Sequence, residues 1–255
     1  MPFSAGKIMK KLTTSSIPGL CSSIFMLFFF TGGAAAEDTI DYGPRFEIGI
    51  GGSYSQEYKA PQWTSGNYGS AMITGAYRLF NGLAIQGGVG FGRGGRPYAD
   101  SLYYGNDYIL NPDKGTYNGS SWIGVRYELP MRVLKQNIAN IHSVYACAGV
   151  CQADYGIRST SWIYNGNLID NQSITSFRVS KLSGQFASLA ARWRVNTGAT
   201  ENPGSWFGAY GLDIGVKYTR YQNGKPELPD LEKAIPGFNN LQIFAIGFLK
   251  FRLFE

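Results

Sequence analysis

The sequence predicts an all-β chain, an eight-stranded antiparallel transmembrane up-and-down β-barrel behind a cleaved leader. Three observations carry this. Segments about ten residues long alternate apolar with small or polar residues, as strands do with lipid on one face and a narrow lumen on the other. Asn81-Gly82 joins two such segments, and this dipeptide suits a two-residue hairpin turn. The chain holds 34 glycines, 17 tyrosines and 16 phenylalanines. Yet no stretch beyond the leader reaches the roughly 18 apolar residues of a membrane-spanning helix.

The leader is expected to be residues 1–36. Lys7, Lys10 and Lys11 form a positive start, Ile24 to Phe30 an apolar core, and Ala34-Ala35-Ala36 a cleavage site. Met9 offers an alternative initiator. Cys21 precedes the apolar core and directly follows Leu20 rather than a small residue, which argues against lipidation. Cleavage leaves residues 37–255 as one domain. It also removes three of the 23 basic residues and none of the 17 acidic ones, a balance too slight to imply a nucleic-acid partner.

The first strand is expected from Arg45 to about Tyr54, with Phe46, Ile48 and Ile50 outward and Glu47, Gly49 and Gly51 inward. The second runs from about Tyr68 to Phe80, with Ile73, Tyr77 and Leu79 opposite Thr74, Ala76 and Arg78. The third sets Leu83, Ile85, Gly87, Val89 and Phe91 against Ala84, Gln86, Gly88, Gly90 and Gly92. The fourth, about Gly119 to Leu129, turns Ile123, Val125 and Tyr127 outward and Trp122, Gly124, Arg126 and Glu128 inward, and Pro130 stops it. The fifth, about Ile141 to Gln152, leaves its faces undecided, with Val144, Ala146, Ala148 and Val150 alternating with Tyr145, Cys147, Gly149 and Cys151. The sixth, about Leu182 to Val195, points Leu189, Ala191 and Trp193 out and Arg192 and Arg194 in. Tyr210, Leu212, Ile214, Val216 and Tyr218 line the outside of the seventh, opposite Ala209, Gly211, Asp213, Gly215 and Lys217. The eighth alternates Leu241, Ile243, Ala245, Leu249, Phe251 and Leu253 with a face that includes Lys250 and Arg252.

An even count puts both termini on the periplasmic side, so the connections after odd strands face outward. The third of these is expected to carry a hairpin, because Trp162-Ile163-Tyr164 and Leu168-Ile169 flank Asn165-Gly166. Cys147 and Cys151 lie roughly 13 Å apart along one strand, beyond disulfide reach, and read as small wall residues.

Inward charges gather toward the periplasmic end: Glu47, Arg78, Arg126, Glu128, Arg192, Lys250 and Arg252. In a low-dielectric lumen they must pair, so a salt-bridged floor is expected, with an anion-selective constriction as the sharper alternative. Asp213 and Lys217 share an inward face and read as a further lumen ion pair. Above the floor, Gly88, Gly90, Gly124, Ala209 and Gly211, beside Trp122 and Phe207, leave either room for bulky neighbours or a pocket for a small solute. In the loops, Tyr98, Tyr103, Tyr104, Tyr108, Trp162 and Tyr164 are candidate contact residues, since tyrosine gives broad contact at low entropy cost.

In these patterns the chain resembles the small eight-stranded outer-membrane barrels of diderm bacteria, the OmpA-barrel, OmpX, OmpW and opacity-type group. The resemblance runs from about Phe46 to the end and rests on pattern. It includes a final strand with Gly247, Leu249, Phe251 and Leu253 in alternation, although the chain ends Phe254-Glu255 rather than on an aromatic. It implies export to the outer membrane, contact with outer-membrane lipid and insertion by the barrel-assembly machinery. By likeness to the OmpW group it implies a narrow conduit or pocket for small, apolar solutes. The alternative is a closed structural barrel whose loops bind a host or cell-surface partner. No enzyme activity, metal or cofactor is expected, because the single histidine, His142, falls at the periplasmic end, away from any outer-leaflet relay.

Overall fold

The computed structural model describes residues 44–59, 64–95, 102–104, 108–110, 114–131, 141–164, 166–196, 207–222, 225–226 and 237–251. The expected leader, Tyr98 and Arg252 lie outside the described residues, which all belong to the unit Ile40–Glu255. Eleven strands are present: β1 (Phe46–Tyr58), β2 (Asn67–Phe80), β3 (Leu83–Gly94), β4 (Leu102–Tyr104), β5 (Tyr108–Leu110), β6 (Thr116–Pro130), β7 (Ser143–Tyr164), β8 (Asn167–Asn196), β9 (Phe207–Tyr221), β10 (Lys225–Pro226) and β11 (Asn239–Phe251). Eight of them close a ring in the order β1-β2-β3-β6-β7-β8-β9-β11, and β11 pairs back onto β1. Every pairing in the ring is antiparallel. This is the eight-stranded up-and-down barrel expected from the sequence.

Closure follows from register. Partners traced round the ring from Ile48, through Gly87, Val150 and Arg220, return to β1 at Tyr58, ten residues further on. That stagger tilts the strands and sets an interior that side chains can fill. The tight turn between β2 and β3 is the expected Asn81-Gly82. Both residues have positive φ, 21° and 81°, as a type I′ hairpin turn demands.

Burial is inverted relative to a water-soluble protein. Ile50, Ile73, Phe91, Val150, Leu189 and Ile243 are more than half exposed, while Glu47, Arg126, Glu128, Arg192 and Asp213 are buried. Withdrawing one large aliphatic or aromatic side chain from water is worth about 1.5–3 kcal/mol, so a belt of such residues on the outside calls for an apolar surrounding. Exposed Tyr77 and Tyr210 mark the belt near the chain termini, and exposed Tyr54 and Phe91 mark it near the other, loop end. Such aromatics suit the two interfaces of a bilayer.

The outward faces match the sequence reading strand by strand, and the undecided strand is resolved. In β7, Cys147 and Cys151 point inward, both buried and both free thiols, and Val150 is exposed. Two strands run well past their expected ends. β7 continues to Tyr164 and β8 begins at Asn167, so the expected third-loop hairpin is the tip of these strands, set off by a register shift between Ser159 and Ser161 and ending at the pair Tyr164↔Asn167.

Candidate functional site

The lumen is filled in three layers. At the termini end lies the charged floor. Arg192, fully buried, donates to three carboxylates at once: Glu47 (2.8 Å), Glu128 (3.1 Å) and Asp213 (2.6 and 2.7 Å). Arg126 makes a second two-pronged bond to Glu47, at 2.8 and 3.2 Å. Lys250 Nζ stands 3.9 Å from Glu47, the Ser143 hydroxyl donates to Glu128 at 2.7 Å, and the Tyr145 hydroxyl donates to Asp213 at 3.1 Å. The Arg192 guanidinium also stacks 4.1 Å over the Phe248 ring. Paired, doubly bonded guanidinium groups of this kind are the geometry in which buried charge is tolerated.

Of the charges expected at the floor, the structure brings together Glu47, Arg126, Glu128, Arg192 and Lys250, with one addition and one changed partner. The addition is Asp213. It sits on β9 directly opposite Arg192 of β8, and ion pairs join Glu47, Glu128 and Asp213 to Arg126, Arg192 and Lys250. The expected Asp213–Lys217 pair does not form. Residues four apart on a strand are roughly 13 Å apart, too far for contact. Lys217 instead places its ammonium 4.7 Å from the Trp122 ring and 4.6 Å from that of Phe186. Arg78 lies half-buried on the inward face of β2.

The middle layer corrects the expected pocket. The space over Gly88 is taken by the Trp122 indole, where an added Cβ would lie 2.9 Å from its ring, and the space over Gly124 by Phe186 at the same distance. Over Gly90 an added Cβ would meet the Ser120 hydroxyl oxygen at 2.9 Å, and over Gly211 the Phe248 ring at 2.6 Å. Ala209 and Gly211 belong to the floor, since they pair with Lys250 and Phe248. Phe207 leaves the lumen altogether. A register shift between Lys250 and Phe251 sets it against Phe251, with ring centroids 6.1 Å apart, and Phe251 in turn lies beside Phe46 at the rim. The glycines thus make room for bulky neighbours. What remains between Met72, Gln86, Trp122, Lys217 and Phe244 is a void of about 20 Å³, the size of a single water.

The third layer, at the loop end, is an aromatic cap. Tyr155 packs edge-on against Tyr68, Tyr221 and Phe238 at 5.7, 6.1 and 5.6 Å. Such pairs add about 0.5–1.5 kcal/mol each beyond area burial.

Beyond the cap the strands project as a small sheet. β6 leaves β7 at the pair Thr116↔Ile157, after which β7 pairs with β8 on one side and with the β5–β4 hairpin on the other. Register brings residues distant in sequence into rows: Tyr104, Tyr108 and Tyr164 in one, Tyr103, Ile109, Ile163 and Leu168 in the next, and Leu102, Leu110, Trp162 and Ile169 in the third. Leu168 and Ile174 are exposed, and the partly buried Trp162 packs against the buried apolar cluster that includes the cap. Five of the six expected contact aromatics, all but Tyr98, are therefore assembled on one sheet. Adjacency of Tyr104, Tyr108 and Tyr164 could not be read from spacing, because it depends on two pairings, β4 with β5 and β5 with β7, that the loop lengths do not specify.

His142 stands just before β7 at the floor end. Burial, then the neighbouring Arg194, push its imidazole down to about 4, so it is neutral at pH 7. No group of three or more metal-ligating side chains occurs among the described residues.

No family model matches the chain, and neither does any curated protein. Among solved structures it is similar to Ail, the attachment invasion locus protein of Yersinia pestis, at 11% identity and a TM-score of 0.36, over 82% of this chain and 99% of that one. It is also similar to the N-terminal β-barrel domain of Pseudomonas aeruginosa OprF, at 11% identity and a TM-score of 0.35, over 81% of this chain and 98% of that one.

Proposed function

We propose that the chain is an integral outer-membrane β-barrel of a diderm bacterium, exported behind its leader, and that its working part is the projecting sheet, a protein-binding surface held clear of the bilayer. The barrel is the anchor. Its apolar belt meets lipid, its termini face the periplasm, and its filled lumen gives rigidity rather than passage. The rows of tyrosine and aliphatic residues across β4, β5, β7 and β8 carry this reading. Leu168, Ile169 and Ile174, exposed past the belt, face water unless something covers them, and apolar patches of that kind mark interaction sites. Tyrosine-rich rows on paired strands offer broad contact with little entropy to lose. The narrow conduit expected from the sequence would require the Arg192 and Arg126 bonds to Glu47 to break and the Trp122–Phe186 layer to move. Catalysis is not part of this reading.

Replacing residues 159–176 with an Asn-Gly turn tests it. The truncated barrel is expected to insert and to keep its heat-modifiable mobility on gels, because the β7–β8 pairing below Ile157 is untouched. Bacteria displaying it should lose most of the adherence that the full-length protein confers, either to cultured cell layers or to one another. Equal adherence by an intact truncated barrel would overturn the proposal.

A further inference from the structure

The aromatic cap encloses a carboxyl group that the interaction reading does not use. Glu57, on the inward face at the loop end of β1, is 7% exposed. One of its oxygens, Oε1, accepts from the Tyr155 hydroxyl at 2.6 Å, and the Thr64 side chain bonds the same carboxyl. The other, Oε2, is buried with no partner. Directly across the sheet, Asn240 of β11 pairs in register with Glu57, and its Oδ1 is likewise buried with no partner. Two unpartnered acceptors thus sit on opposing residues of adjacent strands.

Among the described residues, no positive charge faces Glu57. Around Glu57 stand Thr64 and Tyr68 from the β2 side, Tyr155 from β7, Tyr221 from β9, and Phe238 and Asn240 from β11 and the segment before it. The titratable groups among them are the three tyrosines, all of which share the electrostatic field of Glu57. On β9 the nearest inward cation is Lys217, four residues from Tyr221 and held between Trp122 and Phe186 in the layer below. On β8, Lys181 and Arg178 are exposed, and Arg178 pairs with Asp154. An ionised carboxylate in this box would be an uncompensated buried charge, which costs far more than a hydrogen bond returns. Turning the Asn240 amide round would supply a bond but no charge. A calcium ion takes six to eight oxygens, and the two unpartnered acceptors do not make such a cage.

We propose that the gap between Glu57 and Asn240 is a proton-binding site: Glu57 is a neutral carboxylic acid that donates from Oε2 to Asn240 Oδ1 and so ties β1 to β11 beneath the cap. One proton satisfies both orphaned acceptors. Its loss leaves a carboxylate facing the Asn240 carbonyl oxygen and aromatic rings, so alkaline conditions loosen the cap. The sign follows from linkage. An acid held neutral by the fold ionises above its unfolded value of about 4.3, and the cap's stability falls as pH rises through the folded value.

The test uses the full barrel refolded in lipid, with carbon-13-labelled glutamate carboxyls and the Glu57 signal assigned by its absence in Glu57→Gln. The signal is expected at the protonated position at pH 6, where exposed glutamates are ionised, moving to the ionised position only at higher pH. Hydrogen exchange at Phe238 and Asn239, corrected for intrinsic rate, should quicken about tenfold across that transition in the wild type. It should stay slow at every pH in Glu57→Gln, whose amide can donate to Asn240. A Glu57 signal ionised at pH 6, or one whose position depends on sodium or calcium, would overturn the proposal. If Glu57→Gln does not refold, the wild-type titration still decides.

Discussion

Arg192→Met is expected to destabilise the barrel by about 3–5 kcal/mol, the range measured when one partner of a buried ion cluster is removed. Arg192 bonds Glu47, Glu128 and Asp213 together, and it has no exposed surface. Methionine fills a similar volume but leaves three carboxylates facing Arg126 and Lys250 alone. The loss should appear as a lower urea midpoint for unfolding in lipid bilayers and as incomplete folding on heat-modification gels. Adding Asp213→Asn to Arg192→Met should recover part of it, because the surplus carboxylate goes too. A single variant within about 1 kcal/mol of wild type would mean that the floor contributes little to stability.

The second large effect is expected at Gly124, where β6 meets β7 in the middle layer. A Cβ there would lie 2.5 Å from the Ala148 carbonyl oxygen and 2.9 Å from the Phe186 ring, and a backbone oxygen cannot move aside as a flexible side chain can. Gly124→Ala should therefore cost about 1–3 kcal/mol, as overpacking does, and Gly124→Leu should abolish refolding. Gly69→Ala is the matched control, since nothing lies within 4 Å of its added Cβ. Equal urea midpoints for Gly124→Ala and Gly69→Ala would show that the wall yields at this point.

How far the sequence reading reached depended on whether lipid imposed the pattern. Where a strand crosses the apolar belt, its outward face must be apolar, and the faces of β1, β2, β3, β6, β8, β9 and β11 were legible from alternation. β7 was not, because alanine and valine alternate with cysteine, glycine and tyrosine, and either set is small or apolar enough for either side. Its neighbours decide the matter: Tyr145 must face Asp213, and Ser143 must face Glu128. The true ends of β7 and β8 were hidden for a related reason. Beyond the belt a strand needs no apolar outer face, so Asp154, Arg158 and Lys181 resemble loop residues although they lie in paired strands. Ion pairing was legible as a requirement but not as a set of partners. Asp213 was assigned to Lys217 by shared parity, whereas the bond is to Arg192, its partner across the register. The filling of the lumen followed the same logic. That the glycines leave space was readable, but which ring fills each space depends on how neighbouring strands are staggered.

A lumen blocked by charge, aromatic rings and a cap is the central claim, and planar-bilayer recording of the refolded protein tests it most directly. The wild-type barrel is expected to give silent bilayers at neutral pH, and so is Arg126→Ala, which leaves the Arg192 bonds to Glu47, the Trp122–Phe186 layer and the cap in place. Reproducible unitary openings of the wild type that change in size or ion preference in Arg126→Ala would contradict it, and would identify the floor as the narrowest part of a working conduit.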